Sequence, residues 1–135
     1  MASDVMSAPL VVVSTSASIF DISKIMISKG VGSVLVSDGS EYQGIITKVD
    51  VIRAIAGGKD LKKLEAKDIM TQPIRSVSVS TPIMQVAKMM SYYQVRRIVI
   101  KDKLGMVGMV SDKDITKIAP ELIELVQEQA KMGGK

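Results

Sequence analysis

Gly44-Ile45-Ile46-Thr47-Lys48-Val49-Asp50 and Gly108-Met109-Val110-Ser111-Asp112-Lys113-Asp114 are one phrase written twice, 64 positions apart. Each has a glycine, two aliphatic residues, a hydroxyl residue and, three positions later, a carboxylate. Serine or threonine followed at that spacing by an acid opens a helix as a capping box, with Asp a shorter third partner than Glu or Gln. A helix start also presents N–H groups and a hydroxyl to an anion. The carboxylate, one turn in, can accept hydrogen bonds from a diol. Both readings can hold at once.

The same offset carries outward in both directions. Met6 falls on Met70, Pro9 on Pro73, Val13 on Val77, Ser14 on Ser78, Ile19 on Ile83, Met26 on Met90 and Val31 on Val95. Asp38 falls on Asp102, and no gap is needed between Asp4 and Pro120. A register held through strands, helices and turns alike marks a duplicated structural unit.

Each copy predicts the same order of elements. A short extended stretch comes first, Leu10 to Ser14 or Ile74 to Val79. Ile19, Ile22 and Met26, and likewise Ile83, Val86 and Met90, then follow i, i+3, i+7 spacing and define one face of a helix. Pro82 suits a first helical turn and Gly30 a helix end. Val34-Leu35-Val36 and Ile98-Val99-Ile100 are short apolar runs that predict buried strands. Asp38-Gly39 signals a hairpin, and Asp102-Lys103 does so more weakly. A further strand follows at Gly44–Ile46 and Gly108–Val110, and Thr47 and Ser111 each open a second helix. The fold class is therefore α/β (α+β): two pseudo-symmetric β-α-β-β-α units, at 4–56 and 68–119, joined by a polar, basic linker at 57–67. Leu122, Ile123, Leu125 and Val126 predict a terminal helix within 120–135. One copy has too few strands to cover its own apolar faces. The two are expected to pack together as one module of 135 residues, a natural size for a small domain.

Composition excludes several chemistries. There is no cysteine and no histidine. That removes disulfides, thiolate nucleophiles and Cys-ligated zinc, together with the commonest general base and transition-metal ligand. The expectation is no enzyme, no catalytic residue, no metal site and no cofactor. Aromatic residues are confined to Phe20, Tyr42, Tyr92 and Tyr93, so the core is aliphatic, with methionine filling irregular gaps. No apolar run approaches the ~20 residues that span a membrane, and Met1 to Pro9 does not read as a signal peptide. The protein reads as cytoplasmic. A net charge of +4 suits an anionic ligand or partner, and equally a soluble surface with excess lysine. No RNP-like motif, basic helical run or interleaved aromatic patch supports nucleic-acid binding.

The chain resembles the cystathionine β-synthase (CBS) domain family in its tandem form, the Bateman module. The resemblance rests on Val5-Met6 and Ile69-Met70 ahead of Pro9 and Pro73, on the β-α-β-β-α order, and on the two glycine phrases. It covers about Asp4 to Ala119. It implies a cleft between the copies that holds an adenosine compound: AMP, ADP, ATP or S-adenosylmethionine. It implies Asp50 and Asp114 on the ribose hydroxyls and Thr47 and Ser111 near the phosphate. Val31-Gly32-Ser33 and Val95-Arg96-Arg97 would line the base and phosphate region, joined by Ser16 and Ser80 at the end of the first strand.

The copies differ where charge matters. Arg96 and Arg97 stand where the first copy has Gly32 and Ser33, and Lys113 stands where it has Val49, with Lys48 one position earlier. Arginine offers a planar fork matched to phosphate oxygens, so the second copy is expected to hold phosphate more tightly. The alternative for Arg96 and Arg97 is an exposed pair flanking a strand. Tyr92-Tyr93 either stacks on adenine or closes a helix against the core. The function so implied is a regulatory module that senses adenine nucleotides and acts on a partner protein in trans. The alternative is a structural or interaction module with vestigial clefts. Tandem pairs of this family commonly pair again, so a homodimer is expected. Val51-Ile52, Ala54-Ile55, Ile115 and Ile118 supply apolar surface beyond what one sheet covers.

Overall fold

Both apolar tripeptides become the middle strand of a three-stranded sheet. The computed structural model describes residues 1–4, 6 and 10–117. The terminal helix expected within 120–135 lies outside them, as do Val5, Pro9 and Ile118. Two compact units form. One comprises Val11–Ile74, and the other runs from Arg75 onward together with described residues of Met1–Leu10.

The first-copy unit contains β1 (Val12–Ser14), α1 (Ile19–Lys29), β2 (Ser33–Ser37), β3 (Tyr42–Thr47), α2 (Lys48–Ala56) and a short linker helix, α3 (Ala66–Ile69). The second-copy unit contains β4 (Ser76–Ser78), α4 (Ile83–Tyr93), β5 (Arg97–Asp102), β6 (Gly105–Ser111) and α5 (Asp112–Thr116). The expected β-α-β-β-α order is present twice. β1 pairs parallel to β2 and β3 antiparallel to it, with Val12 opposite Leu35 and Leu35 opposite Ile45. β4, β5 and β6 repeat this, with Ser76 opposite Val99 and Val99 opposite Met109.

A strand paired on both edges and covered on its faces must be continuously apolar. Val34, Leu35 and Val36, and Ile98, Val99 and Ile100, are all buried. Ile19, Ile22 and Met26 of α1 pack against Val34, Val36 and Ile46. Val86, Ala87 and Met90 of α4 pack against Ile98, Ile100 and Val110, with Ile83 at the margin. Pro82 is the N-cap of α4, one position outside the turn expected for it. In the β2–β3 turn Asp38 accepts the N–H groups of Glu41 and Ser40 at 2.8 and 2.9 Å. Those donors favour the ionised form and hold its pKa below the ordinary carboxylate value.

The linker is stitched to the first-copy unit. The first N–H groups of a helix have no partner within it, and here the carbonyls of Leu64 and Leu61 take those of Ile19 and Phe20 at 2.8 and 3.0 Å. The ammonium groups of Lys24 and Lys62 lie over the Phe20 ring, 5.2 and 5.1 Å from its centre. Thr71 and Ile45 exchange both backbone hydrogen bonds, at 2.8 and 3.1 Å. Gly44 permits that approach, since a Cβ there would lie 2.8 Å from the Thr71 carbonyl oxygen.

The compact units do not coincide with the sequence repeats. Ala2, in a 3₁₀ turn, is fully buried in the second-copy core, and its equivalent Ala66 is fully buried in the first-copy core. Ala2 and Ser3 donate to the carbonyls of Thr81 and Val79, and Ala66 and Lys67 donate to the equivalent carbonyls of Ala17 and Thr15. Each core is thus completed by the turn that precedes the other copy in sequence.

The duplication supplies an internal control on helix termination. α1 ends on Gly30 at φ 66° and α4 on Gln94 at φ 55°. The left-handed region costs a side chain about 1–2 kcal/mol and glycine nothing comparable. Gln94→Gly should therefore stabilise the protein by up to about 1 kcal/mol, and Gly30→Ala should destabilise it by a similar amount. Urea denaturation checks this, and unmoved midpoints in both variants would contradict it.

Candidate functional site

Both repeated phrases fold as capping boxes. Thr47 donates to Asp50 Oδ2 through its N–H at 2.8 Å and its hydroxyl at 3.1 Å, while the Asp50 N–H donates to Thr47 Oγ1 at 3.4 Å. Ser111 N–H donates to Asp114 Oδ2 at 2.8 Å, and Asp114 N–H to Ser111 Oγ at 3.2 Å. The cap uses one oxygen of each carboxylate. The other oxygen of Asp50 faces the Arg53 guanidinium at 3.9 Å. The Asp50 side chain is only 13% exposed, so this second oxygen, outside the cap and met only by that long contact, is a fixed acceptor.

Strand register brings the residues before the middle strand to these caps. Ser33 lies opposite Thr47, and Arg97 opposite Ser111. Lys48 N–H donates to the Gly32 carbonyl at 3.1 Å, and Asp112 N–H to that of Arg96 at 2.9 Å. Val31 and Val95 fasten the preceding helix by donating to Met26 and Met90, both at 3.0 Å. Ser16 and Ser80 are placed elsewhere. They follow Ser14 and Ser78, which lie opposite Ser37 and Lys101. Within one unit that is the other end of the middle strand, about 13 Å away at the usual rise per residue. There they form hydroxyl pairs, Ser14–Ser16 at 3.0 Å and Ser78–Ser80 at 2.9 Å.

The charges expected around phosphate are distributed unevenly. The Arg96 guanidinium pairs with the Asp112 carboxylate in the first turn of α5, where the first copy has Lys48. Arg97 is half-buried and Lys113 exposed, and among the described residues neither has an ion-pair partner. The Tyr93 ring carries the Arg75 guanidinium over its face at 3.8 Å, and Tyr92, exposed, meets it edge-on at 4.9 Å. The pair ends α4 without entering the core.

The first-copy residues line two separate depressions. One, of about 420 Å³, includes Met26, Ile27, Val31, Gly32, Lys48 and Ile52. The other, of about 540 Å³, includes Asp50, Arg53, Lys59, Leu64, Asp68 and Ile69. Sequence reasoning did not single out Arg53 or Lys59. Arg53 was accessible to it, being one helical turn beyond Asp50, whereas nothing in the sequence marks Lys59. Among the described residues no cluster of acidic side chains could hold a metal ion, and no helix is long and apolar enough to cross a membrane.

The CBS domain family matches residues 2–57 and 66–121, and the chain belongs to it as a tandem CBS pair, a Bateman module. A conserved CBS domain protein from Thermoplasma acidophilum superposes with a TM-score of 0.81 at 21% identity, over 96% of this chain and 75% of that one. A Pyrobaculum aerophilum CBS domain protein solved in complex with AMP does so with a TM-score of 0.75 at 25% identity, over 93% and 98%. An uncharacterised protein of Methanopyrus kandleri is 35% identical over 105 residues, which is 76% of this chain and 54% of that protein. The chain thus spans about half the length of that relative. CBS pairs are commonly regulatory ligand-binding modules and are typically not catalytic.

Proposed function

We propose that this protein is a regulatory module that binds an adenosine-containing nucleotide, AMP, ADP, ATP or S-adenosylmethionine, and acts on a partner protein in trans from the cytoplasm. The observation that carries the reading is the pair of capping boxes. Each holds a carboxylate in place with one oxygen while Asp50 keeps the other available. A ribose diol donates two hydrogen bonds, and a fixed carboxylate is the complementary acceptor, at 1.5–3 kcal/mol for a well-made hydrogen bond to a charged group, as an order of magnitude (~). Thr47 and Ser111, with the helix N–H groups behind them, suit an anion on the same ligand. The AMP bound by the Pyrobaculum relative supports the choice of ligand. Isothermal titration calorimetry tests it: an adenine compound should bind more tightly than guanine nucleotides. Absence of heat with AMP, ADP, ATP, S-adenosylmethionine and NAD would remove the proposal and favour an interaction module with vestigial clefts.

Self-association belongs to the same reading, on altered residues. Ile115 is fully buried in its own unit and Val51 and Ala54 are buried, so none of the three has surface to spare. Ile52 is 61% exposed, and Ile55, Val49 and Ile27 are exposed beside it. A homodimer covering this face should scatter light at twice 14.5 kDa, and Ile52→Lys should shift it toward the monomer. A wild-type monomer at micromolar concentration would exclude the dimer.

A further inference from the structure

We propose that Arg53 and Lys59 form an anion subsite in the groove between α2 and the linker, taking the phosphate of a nucleotide held by Asp50. The proposal rests on the nucleotide reading above and names a part of the site that neither the sequence motif nor the charge difference between copies indicated. The groove has about 540 Å³ of space, enough for a small-molecule ligand. α2 contributes Asp50, Arg53 and Ala54, and the segment after it contributes Lys59, Leu64, Asp68 and Ile69.

The chemistry turns on how loosely the cations are held. Arg53 meets Asp50 through one nitrogen at 3.9 Å while 77% exposed. Exposed ion pairs of this kind contribute little, since solvent screens them and two side chains must be ordered. The Lys59 ammonium has no ion-pair partner among the described residues. The carboxylates are better satisfied. Asp50 Oδ2 accepts two bonds from Thr47, and Asp68 Oδ2 accepts the Glu65 N–H at 2.9 Å. A diol donating to Asp50 Oδ1 replaces the contact that Arg53 makes there. The freed guanidinium then has a partner only if the ligand brings an anion, and Lys59 lines the same space. Adenosine gains the diol contacts alone; a phosphorylated ligand gains both. Arginine suits this role because its fork meets two phosphate oxygens at once.

In sequence the second copy keeps a cation at only one of the two positions. The position equivalent to Arg53 is Lys117, and that equivalent to Lys59 is Ile123. A subsite built from two cations at these positions is therefore particular to the first copy. It stands against the expectation, from Arg96, Arg97 and Lys113, that the second copy binds phosphate more tightly.

The test is calorimetric titration of the full chain with AMP and with adenosine, in wild type, Arg53→Gln, Lys59→Gln and the double variant. Arg53→Lys serves as the conservative control. Both side chains are solvent-facing, and circular dichroism checks that each variant folds. At one binding event the double variant should weaken AMP at least tenfold, which a single charge-assisted hydrogen bond suffices to produce. Adenosine should change less than threefold, and Arg53→Lys should recover part of the loss. Equal weakening of AMP and adenosine, or none, would overturn the subsite while leaving the nucleotide reading intact. Failure of wild type to bind AMP, adenosine, ADP or ATP would overturn the subsite, and failure with S-adenosylmethionine and NAD as well would overturn the nucleotide reading with it.

Discussion

Gly44→Val should lower the melting temperature on the order of 10 °C. Gly44 is not in the left-handed region of backbone conformation, so a side chain there meets no conformational penalty; it meets the linker. A Cβ would sit 2.8 Å from the Thr71 carbonyl oxygen and 3.0 Å from the Met70 side chain. The Thr71 contact is with backbone, so the linker must move and the two Ile45–Thr71 hydrogen bonds must stretch or break. Overpacking costs typically about 1–3 kcal/mol and each of the two lost hydrogen bonds about 0.5–1.5 kcal/mol, which together gives roughly 2–6 kcal/mol. Thermal melts followed by circular dichroism measure it. A melting temperature within 2 °C of wild type, as an approximate (~) margin of error for that slope, would mean that the linker does not rest on β3.

The second large effect separates the two duties of the motif carboxylates. Asp50→Ala and Asp114→Ala should each remove one nucleotide-binding event, with a loss near 100-fold if two diol hydrogen bonds of about 1.5 kcal/mol are forfeited. Each should also cost about 1 kcal/mol of stability, because the carboxylate accepts the N–H of Thr47 or Ser111 in its cap. Asp50→Asn and Asp114→Asn keep an acceptor for that N–H and lose the charge, so they should preserve most of the stability while still weakening binding. The gap between the two events should be smaller for adenosine than for AMP, because the copies differ chiefly in their cations. If the alanine variants lose stability while alanine and asparagine variants alike bind nucleotides as wild type does, both residues serve only the helix caps.

Local pattern carried much of the fold. Ile19, Ile22 and Met26 are buried at the spacing that marked a helix face, Val34–Val36 form the buried strand, and Gly30 ends α1. These features depend on neighbours within a few residues, and periodicity reports such neighbours directly. The capping boxes were legible for the same reason. What escaped is non-local. The polar composition of 57–67 conceals Leu61 and Leu64, which pack on the first-copy core, and Ala66, which lies within it. Nothing local says which core an alanine turn will enter. Ile115 carries the same apolar signal as Ile52, yet one is buried and the other exposed, because the signal marks hydrophobicity and not which surface remains uncovered. The pairing of Arg96 with Asp112 spans sixteen residues. Its only trace in the sequence is that Asp112 stands where the first copy has Lys48.

The exchange of Ala2 and Ala66 bears on how such a protein arose. A chain holding a single repeat would present an unfilled socket in its own core and a turn shaped for an identical socket elsewhere. Two such chains would satisfy each other by trading turns, so a single-repeat chain is expected to work as a reciprocally swapped pair. Gene duplication then makes the trade intramolecular and independent of protein concentration. A present-day gene cut between Gly57 and Gly58 should reverse that history: neither fragment has its own plug, and the two should recover native structure only when co-expressed.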